Sequence, residues 1–171
     1  MEPLLNASNA KATPFSYGGG HVYPNRAMDP GLVYDLSLND YLNFLCALGY
    51  NATQIGLFSD KPYKCPKKVS LLDLNYPSIT VPKLSGSITV TRTLKNVGNP
   101  RSYKAKVSNP TGISVSVEPK SLEFKSVGEE KSFKVTITLQ NPKAAKDYVF
   151  GKLVWTDGKH YVRSPIVVKA A

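Results

Sequence analysis

The sequence predicts a mainly β fold, in which an antiparallel β-sandwich follows a short turn-rich and helical segment. Two observations predict the sandwich: apolar and polar residues alternate after Leu72, and turn signals interrupt this alternation about every 8 to 15 residues. A third predicts the helical segment, because apolar residues recur at helical spacing between Leu38 and Leu48. With 171 residues, of which 42% are apolar, the chain is long enough to bury a hydrophobic core.

The first part of the chain lacks a long periodic pattern. Residues 1–13 are small and polar, which is typical of a flexible lead-in, and Gly and Pro punctuate residues 14–35 into turns and short extended pieces. Three glycines precede His21 in "YGGGHVYPNRAMDPGLVYD", but a phosphate-binding loop requires G-x-G-x-x-G or a trailing Gly-Lys-Ser/Thr. The stretch supplies neither, so a phosphate-binding role is excluded.

A helix of about three turns is predicted from Ser37, with Asp40 as the acid of a capping box and Gly49 as its left-handed stop. Its apolar face must find a partner. A second short helix is predicted from Asn51 to Phe58. Residues 59–71 contain two prolines and four lysines, as a linker would.

Residues 72–171 read as half-buried strands with a period of two. Ile88, Val90 and Leu94 share one face with Arg92, while threonines occupy the other face. Asp157-Gly158 between two apolar runs predicts a tight hairpin turn. Seven or so short strands in about 100 residues indicate a sandwich of the immunoglobulin or fibronectin type III kind.

The chain carries 22 Lys and Arg against 12 Asp and Glu, and nine of the ten net positive charges fall from Ser70 onward. The lysines alternate singly with apolar residues, which is typical of a solvated sheet face rather than of a nucleic-acid-binding element. A weak attraction to polyanions, such as acidic wall polysaccharides, is compatible with this charge. No apolar run is long enough to cross a membrane.

Two kinds of residue point to an exported protein, although the amino end does not read as a signal peptide. Asn6 and Asn51 begin N-glycosylation sequons. Cys46 and Cys65 lie 19 positions apart, without zinc-site spacing. They are either two unrelated buried thiols or a disulfide in an oxidising compartment. If both signals are real, the chain is a fragment with an export segment upstream.

Candidate catalytic and metal-binding residues are few. A Ser-His-Asp site needs a histidine base, and the chain has only His21 and His160, with no G-x-S-x-G elbow. His160 is expected to be a plain exposed or paired histidine beside the hairpin turn. Asp29, Asp35 and Asp40 are too scattered for a metal site. No catalytic residue, metal or cofactor is therefore assigned.

The stretch "ATPFSYGGGHVYPNRAMDPGLVYDLSLNDYLNFLCALGYN" closely resembles the end of the peptidase domain of plant subtilisin-like serine proteases, the subtilases. "LNYPSITVP", "VTRTLKNVG" and "FGKLVWTDGKHYVRSPIVV" are similar to the fibronectin III-like domain that closes those proteases. The resemblance covers about residues 11 to 169. It implies that residues 1–58 are the incomplete end of an α/β peptidase domain, 59–71 a linker and 72–171 the sandwich.

The resemblance also implies a function and its limits. The family's catalytic Asp, His, Ser and oxyanion Asn lie upstream of the matched region, so no residue here inherits those roles. Cys46 and Cys65 are implied to pair, and the parent protein to be extracellular, in the apoplast or cell wall. The expected partner is the missing peptidase domain, in cis or in trans, and the chain alone is expected to be inactive.

Two functions from different classes remain open. In the first, the chain is the non-catalytic structural part of a secreted subtilase. In the second, it is an independent binding module that docks on another subtilase or on acidic wall polymers. In either case the sandwich can fold by itself, whereas the segment before it needs a partner for its apolar face.

Overall fold

Four short α-helices and nine β-strands are found in residues 4–171, which the computed structural model describes. The helices are α1 (Pro14–Tyr17), α2 (Pro24–Ala27), α3 (Leu38–Ala47) and α4 (Ala52–Ile55). The strands are β1 (Leu32–Val33), β2 (Ile79–Leu84), β3 (Ser87–Asn96), β4 (Arg101–Ser108), β5 (Ile113–Glu118), β6 (Ser121–Phe124), β7 (Glu130–Leu139), β8 (Val149–Thr156) and β9 (Tyr161–Ala170).

The strands form two sheets, and this confirms the predicted sandwich. One sheet has the order β1-β3-β7-β5 and the other the order β2-β9-β8-β4-β6. Every pairing is antiparallel except that of β2 with β9. The antiparallel pairing predicted for the strands is corrected only at this edge, where β2 passes on to β3 of the opposite sheet and its neighbour β9 comes from the far end of the chain.

The hydrophobic core lies between the two sheets. The alternating residues of β3 and β7 place Val90, Leu94 and Phe133 inside it, as the period of two predicts. Phe133 from one sheet meets Trp155 from the other, with ring centroids 5.1 Å apart in an edge-to-face arrangement. This pair joins the two sheets at the centre of the sandwich.

The helices before the sandwich follow their capping signals. Ser37 and Asp40 form both bonds of a capping box at the start of α3, and Asn51 and Gln54 form another at the start of α4. The second predicted helix is shorter than expected, since Gly56–Phe58 turns into a 3₁₀ helix. Residues expected to form only turns include two single-turn helices, α1 and α2.

The two sheets present different outer faces. On the four-stranded sheet, hydroxyl groups pair across β3 and β7, as in Thr89 with Thr136 at 2.9 Å. On the five-stranded sheet, strand pairing aligns exposed Lys106 of β4 with Val154 of β8 and exposed Arg163 of β9. The prediction that lysines lie on solvated sheet faces is confirmed for these strands.

The lead-in is partly organised. Residues 1–3 of the expected flexible lead-in lie outside the described residues. Beyond them, a bridge joins Leu5 to Lys11 around a turn, in which the Asn6 side chain accepts a hydrogen bond from the Ala10 amide at 2.9 Å. Among residues 4–171, no helix is long and apolar enough to span a membrane.

Candidate functional site

Residues 4–58 are called the head, and residues 29–35 within it are called the clasp because they attach the head to the sandwich. Two clasp residues form β1, with Leu32 opposite Asn96 and Val33 opposite Lys95 of β3. Leu32 is only 2% exposed and belongs to the sandwich core. The first part of the chain thus contributes a strand to the fold that the later part builds.

Gly31 allows the clasp to approach the sandwich this closely. Its φ is +77°, and a Cβ at this position would overlap the Tyr103 hydroxyl and lie 2.9 Å from His160 Cγ. A side chain would therefore be strained by backbone conformation and by steric overlap at once. The glycine is required for contact with the sandwich rather than for a phosphate.

Both ends of the clasp are held by ion pairs to the sandwich. Asp29 lies 2.8 Å from Lys159 Nζ, and Asp35 lies 2.8 Å from Lys95 Nζ. These lysine hydrogen bonds are the main reason that the pKa of each aspartate is lowered. Between the two ends, the Tyr34 hydroxyl lies 2.7 Å from the Ser164 hydroxyl.

His160 lies at the first end of the clasp and is buried, with 8% of its surface exposed. Its Nδ1 is 2.7 Å from Asp157 Oδ2, and its Nε2 is 3.1 Å from Asp29 Oδ2. Burial would raise the pKa of Asp157, but hydrogen bonds from the backbone N–H and the imidazole of His160 lower it to about 2. Asp157 therefore stays ionised under the imidazole.

His160, Asp157 and Asp29 form a cluster that links the clasp to the sandwich, and this cluster is called the latch. Hydrolysis by a serine requires the second imidazole nitrogen to face a hydroxyl group, whereas here Nδ1 of His160 is hydrogen-bonded to Asp157 and Nε2 lies beside the Asp29 carboxylate without an aligned hydrogen bond. Ser164, four positions along the chain on β9, has its hydroxyl hydrogen-bonded to Tyr34. His21, the other histidine, is exposed before α2. In residues 4–171, no group of acidic, His and Cys side chains could hold a metal ion.

Beside the latch, the Tyr103 hydroxyl is buried under Gly31 without a hydrogen-bond partner among the described residues. Burial is the main cause that raises the pKa of Tyr103 to about 12. The ring packs edge-to-face on Phe124, with centroids 6.0 Å apart. Tyr103 therefore remains neutral and acts here as a packing residue.

Arg92 holds the segment that follows the linker, residues 72–76, against β3. It is 4% exposed on the core side of β3, and burial lowers its pKa. Its guanidinium donates to the Leu72 carbonyl at 2.7 Å and to the Tyr76 carbonyl at 3.0 Å. Its place on the apolar face was visible in the sequence, and a charge on such a face was the signal of a buried anchoring role.

The two cysteines and the two sequon asparagines that the sequence analysis singled out lie in the head and linker. The structure joins Cys46 of α3 to Cys65 of the linker in a disulfide, with Cα atoms 5.7 Å apart. Asn51 caps α4, where its side chain accepts from the Gln54 amide at 3.0 Å. Asn51 and Asn6 are both exposed, so N-glycosylation at each stays a prediction that the geometry permits.

Large apolar side chains of the head remain uncovered. On α3, Leu42 is 1% exposed, but the neighbouring face of the helix keeps about half of the surface of Leu38, Tyr41 and Leu48 exposed. Elsewhere in the head the exposed large apolar residues are Leu5, Phe15, Val22, Tyr23, Met28, Tyr50, Leu57 and Phe58. These eleven residues are called the head surface, and they differ from the sandwich side chains that lie in the core.

A groove of about 540 Å³ lies between residues 11–19 and strand β8. It is called the β8 groove. Its basic residues are Lys11, Lys152 and Arg163, and no Asp or Glu lines it. The other lining residues are Ala12, Thr13, Pro14, Tyr17, Gly18, Gly19, Ser108, Thr111, Tyr148, Val149, Phe150, Gly151 and Pro165.

Comparisons with known proteins agree with this architecture. A fibronectin type-III domain profile matches residues 73–168. The chain is 61% identical over 169 residues to subtilisin-like protease SBT5.3 of Arabidopsis thaliana, covering 98% of this chain and 22% of the relative. It is 58% identical over 169 residues to SBT5.4 of the same plant, with the same coverage. A Glycine max subtilisin-like protease is 50% identical over 160 residues, covering 92% and 20%.

The chain thus spans about a fifth of the length of the curated relatives that it matches. These findings confirm the resemblance to the carboxyl-terminal region of plant subtilisin-like proteases that the sequence motifs indicated.

Proposed function

The chain belongs to the fibronectin type-III domain family through residues 73–168, and from this premise we propose that it forms the non-catalytic carboxyl-terminal part of a secreted subtilisin-like serine endopeptidase. Its similarity to plant subtilisin-like proteases along 98% of its length supports this role. In this proposal the sandwich is a stable base, and the head packs against a peptidase domain.

The observation that carries the proposal is that the head surface is exposed whereas the clasp is packed into the sandwich. Val22, Met28 and Leu57 are each more than four-fifths exposed, and covering such a side chain contributes roughly 1.5–3 kcal/mol. Covering several of them would therefore contribute favourably to contact with a partner, offset in part by the cost of association. The clasp would keep a head bound in this way attached to the sandwich, because Leu32 is part of the sandwich core.

A test replaces the matching region of Arabidopsis SBT5.3 with this chain and labels the secreted chimera with a serine-directed fluorophosphonate probe. We expect strong labelling of the chimera, no labelling of the isolated chain, and weak labelling of SBT5.3 that lacks the region. Equal labelling of the truncated and chimeric proteases would contradict the supporting role. Labelling of the isolated chain would contradict its lack of catalysis.

Matched variants locate the contact. Replacing Leu38, Tyr41 and Leu48 together by Ser should reduce the labelled, secreted chimera, because the helix face would lose its apolar contacts with the peptidase domain. Val127→Ser in the sandwich changes a residue that is 65% exposed and serves as the control. Unchanged labelling in the α3 variant would show that this face is not the contact.

The second candidate function is an independent extracellular binding module, and the charge of the sandwich favours it. Lys104, Lys106, Lys152 and Arg163 lie exposed on one sheet, and none forms a salt bridge within residues 4–171. Such a face attracts anionic polymers at low ionic strength. The chain should be retained on a column of acidic polysaccharide at low salt and released at 0.5 M salt. Retention that persists at 0.5 M salt would count against this charge-based binding.

A further inference from the structure

We propose that the β8 groove is a binding site for a short run of a carboxylated polysaccharide, with one uronate carboxylate near each of its basic side chains. This site deepens the second candidate function, binding of acidic polymers. It does not require that the head docks on a peptidase domain. The groove's volume of about 540 Å³ lies within the roughly 300–1,000 Å³ that ligand pockets occupy.

The basic side chains of the groove have no carboxylate partner among the described residues, as is true of most lysines of the sandwich outside three ion pairs. Lys95, Lys131 and Lys159 each lie 2.8 or 2.9 Å from a carboxylate. Lys152 and Arg163 have no such partner among the described residues. Since the groove also contains no acidic lining residue, its positive potential is uncompensated and favours an anionic ligand.

The rest of the lining suits a sugar ring better than a bare anion. Partly buried Tyr17, Tyr148 and Phe150 line the groove and offer apolar surface to the C–H face of a pyranose. Ser108 and Thr111 supply neutral hydroxyl groups for the sugar hydroxyls. A few polar groups on a largely apolar wall are typical of sites that orient an organic ligand.

The groove has two anchored walls. The Phe15 ring contacts Tyr148 and Phe150 edge-to-face, with centroid distances of 5.1 and 5.6 Å. This contact holds residues 11–19 against β8, which pairs with β9 along its whole length. Gly18 and Gly19 have no neighbouring atom where a Cβ would lie, so this part of the groove is open to a chain-like ligand.

The row of basic residues continues beyond the groove in one direction. Arg163 lies across Val154 from Lys106, and Lys104 follows on the same face of β4. A linear polymer with a charge on every ring could therefore extend from the groove along the outer face of this sheet. The arrangement fits a polyuronate chain better than a single small anion.

The test is an isothermal titration calorimetry experiment in which tetragalacturonate is added to the full chain at low salt. The matched ligand is the same tetramer with its carboxylates methyl-esterified. We expect binding of the acid form and its loss on esterification. No binding of either form, or equal binding of both, would overturn the proposal.

Variants then locate the site. Lys152→Gln together with Arg163→Gln should weaken binding on the order of 25-fold, if each charge contributes about fivefold at contact distance in water. The control pair, Lys125→Gln with Lys134→Gln, removes two exposed lysines outside the groove and should leave affinity within about twofold. Equal losses in the two pairs would show general attraction to the surface and contradict the site.

Two further binding measurements distinguish a sugar-binding site from a site that recognises charge alone. Tyr148→Leu leaves the charge unchanged and should weaken tetragalacturonate binding several-fold, because the ring surface is lost. Tetraglutamate and a single-stranded oligonucleotide of equal charge should bind more weakly than tetragalacturonate. If either binds as tightly, or if Tyr148→Leu has no effect, the groove does not recognise sugar.

Discussion

In the sandwich, Trp155 and Phe133 have at most 1% of their surface exposed. In the head, Val22 and Met28 are 88% and 87% exposed, although the residues are equally apolar. The difference shows that the core between the sheets, to which the head contributes Leu32, is closed within the chain, whereas most of the head surface stays uncovered by the described residues. Stability and interaction are therefore divided between the two regions.

The largest expected change in the free energy of unfolding comes from removing a large side chain from the sandwich, compared with the same kind of change in the head. Trp155→Ala should lower the free energy of unfolding by about 3–5 kcal/mol, because it leaves a cavity between the sheets. Leu48→Ala, at the half-exposed residue that caps the end of α3, should change it by less than about 0.5 kcal/mol. Urea denaturation followed by circular dichroism measures both, and comparable losses would remove the distinction.

The clasp joins the two regions, and Gly31→Ala should break this joint. We expect a loss of about 3 kcal/mol, from backbone strain and overlap with the Tyr103 hydroxyl. The matched control is Gly86→Ala, where φ is +72° and no atom lies near the new Cβ; strain alone should cost about 1 kcal/mol. Equal losses in urea denaturation would mean that the close approach of the clasp is unimportant.

Removing the disulfide should affect the head and leave the sandwich intact. Replacing Cys46 and Cys65 by Ser should destabilise the segment that they close by roughly 3 kcal/mol. Trypsin should then cleave faster after Lys64 and Lys68 in the linker. The single tryptophan of the chain, Trp155, reports the sandwich, and its fluorescence transition in urea should not move. A shifted transition would show that the two regions unfold together.

The smallest expected effect concerns the acid in the latch. Asp157 has a pKa of about 2 in the folded protein against an ordinary value of 3.8, so its ionised form stabilises the fold above pH 4. This contribution, on the order of 2 kcal/mol, is lost as the pH falls from 4 to 2. Asp157→Asn should flatten the pH dependence of urea stability over that range. An unchanged pH dependence would contradict the role of Asp157.

Much of the sandwich could be predicted from local sequence. The alternation around Val90 and Phe133 gave β3 and β7, and Asp157-Gly158 gave the β8–β9 hairpin. The capping box at Ser37 gave the start of α3. Each of these features depends on residues that are close together in the sequence, where periodicity and turn chemistry act directly.

The clasp could not be predicted in this way. β1 has only two residues and no period, and its partner in β3 lies more than 60 positions away. The parallel pairing of β2 with β9 joins residues that are even further apart in the sequence, as in Ile79 with Ile166. His160 was expected to be exposed or paired, and its burial depends on Gly31 and Asp29 from the other end of the chain. Long-range docking of short segments leaves no local pattern to read.

The most direct test of the division between the regions is hydrogen–deuterium exchange of α3, compared with β7 and β8, in the isolated chain and in the SBT5.3 chimera. In the isolated chain, the amides of α3 should exchange much faster than those of the two strands. In the chimera, α3 should become protected while the strands stay unchanged. If α3 is as protected as the strands in the isolated chain, or gains no protection in the chimera, the head does not depend on a peptidase domain.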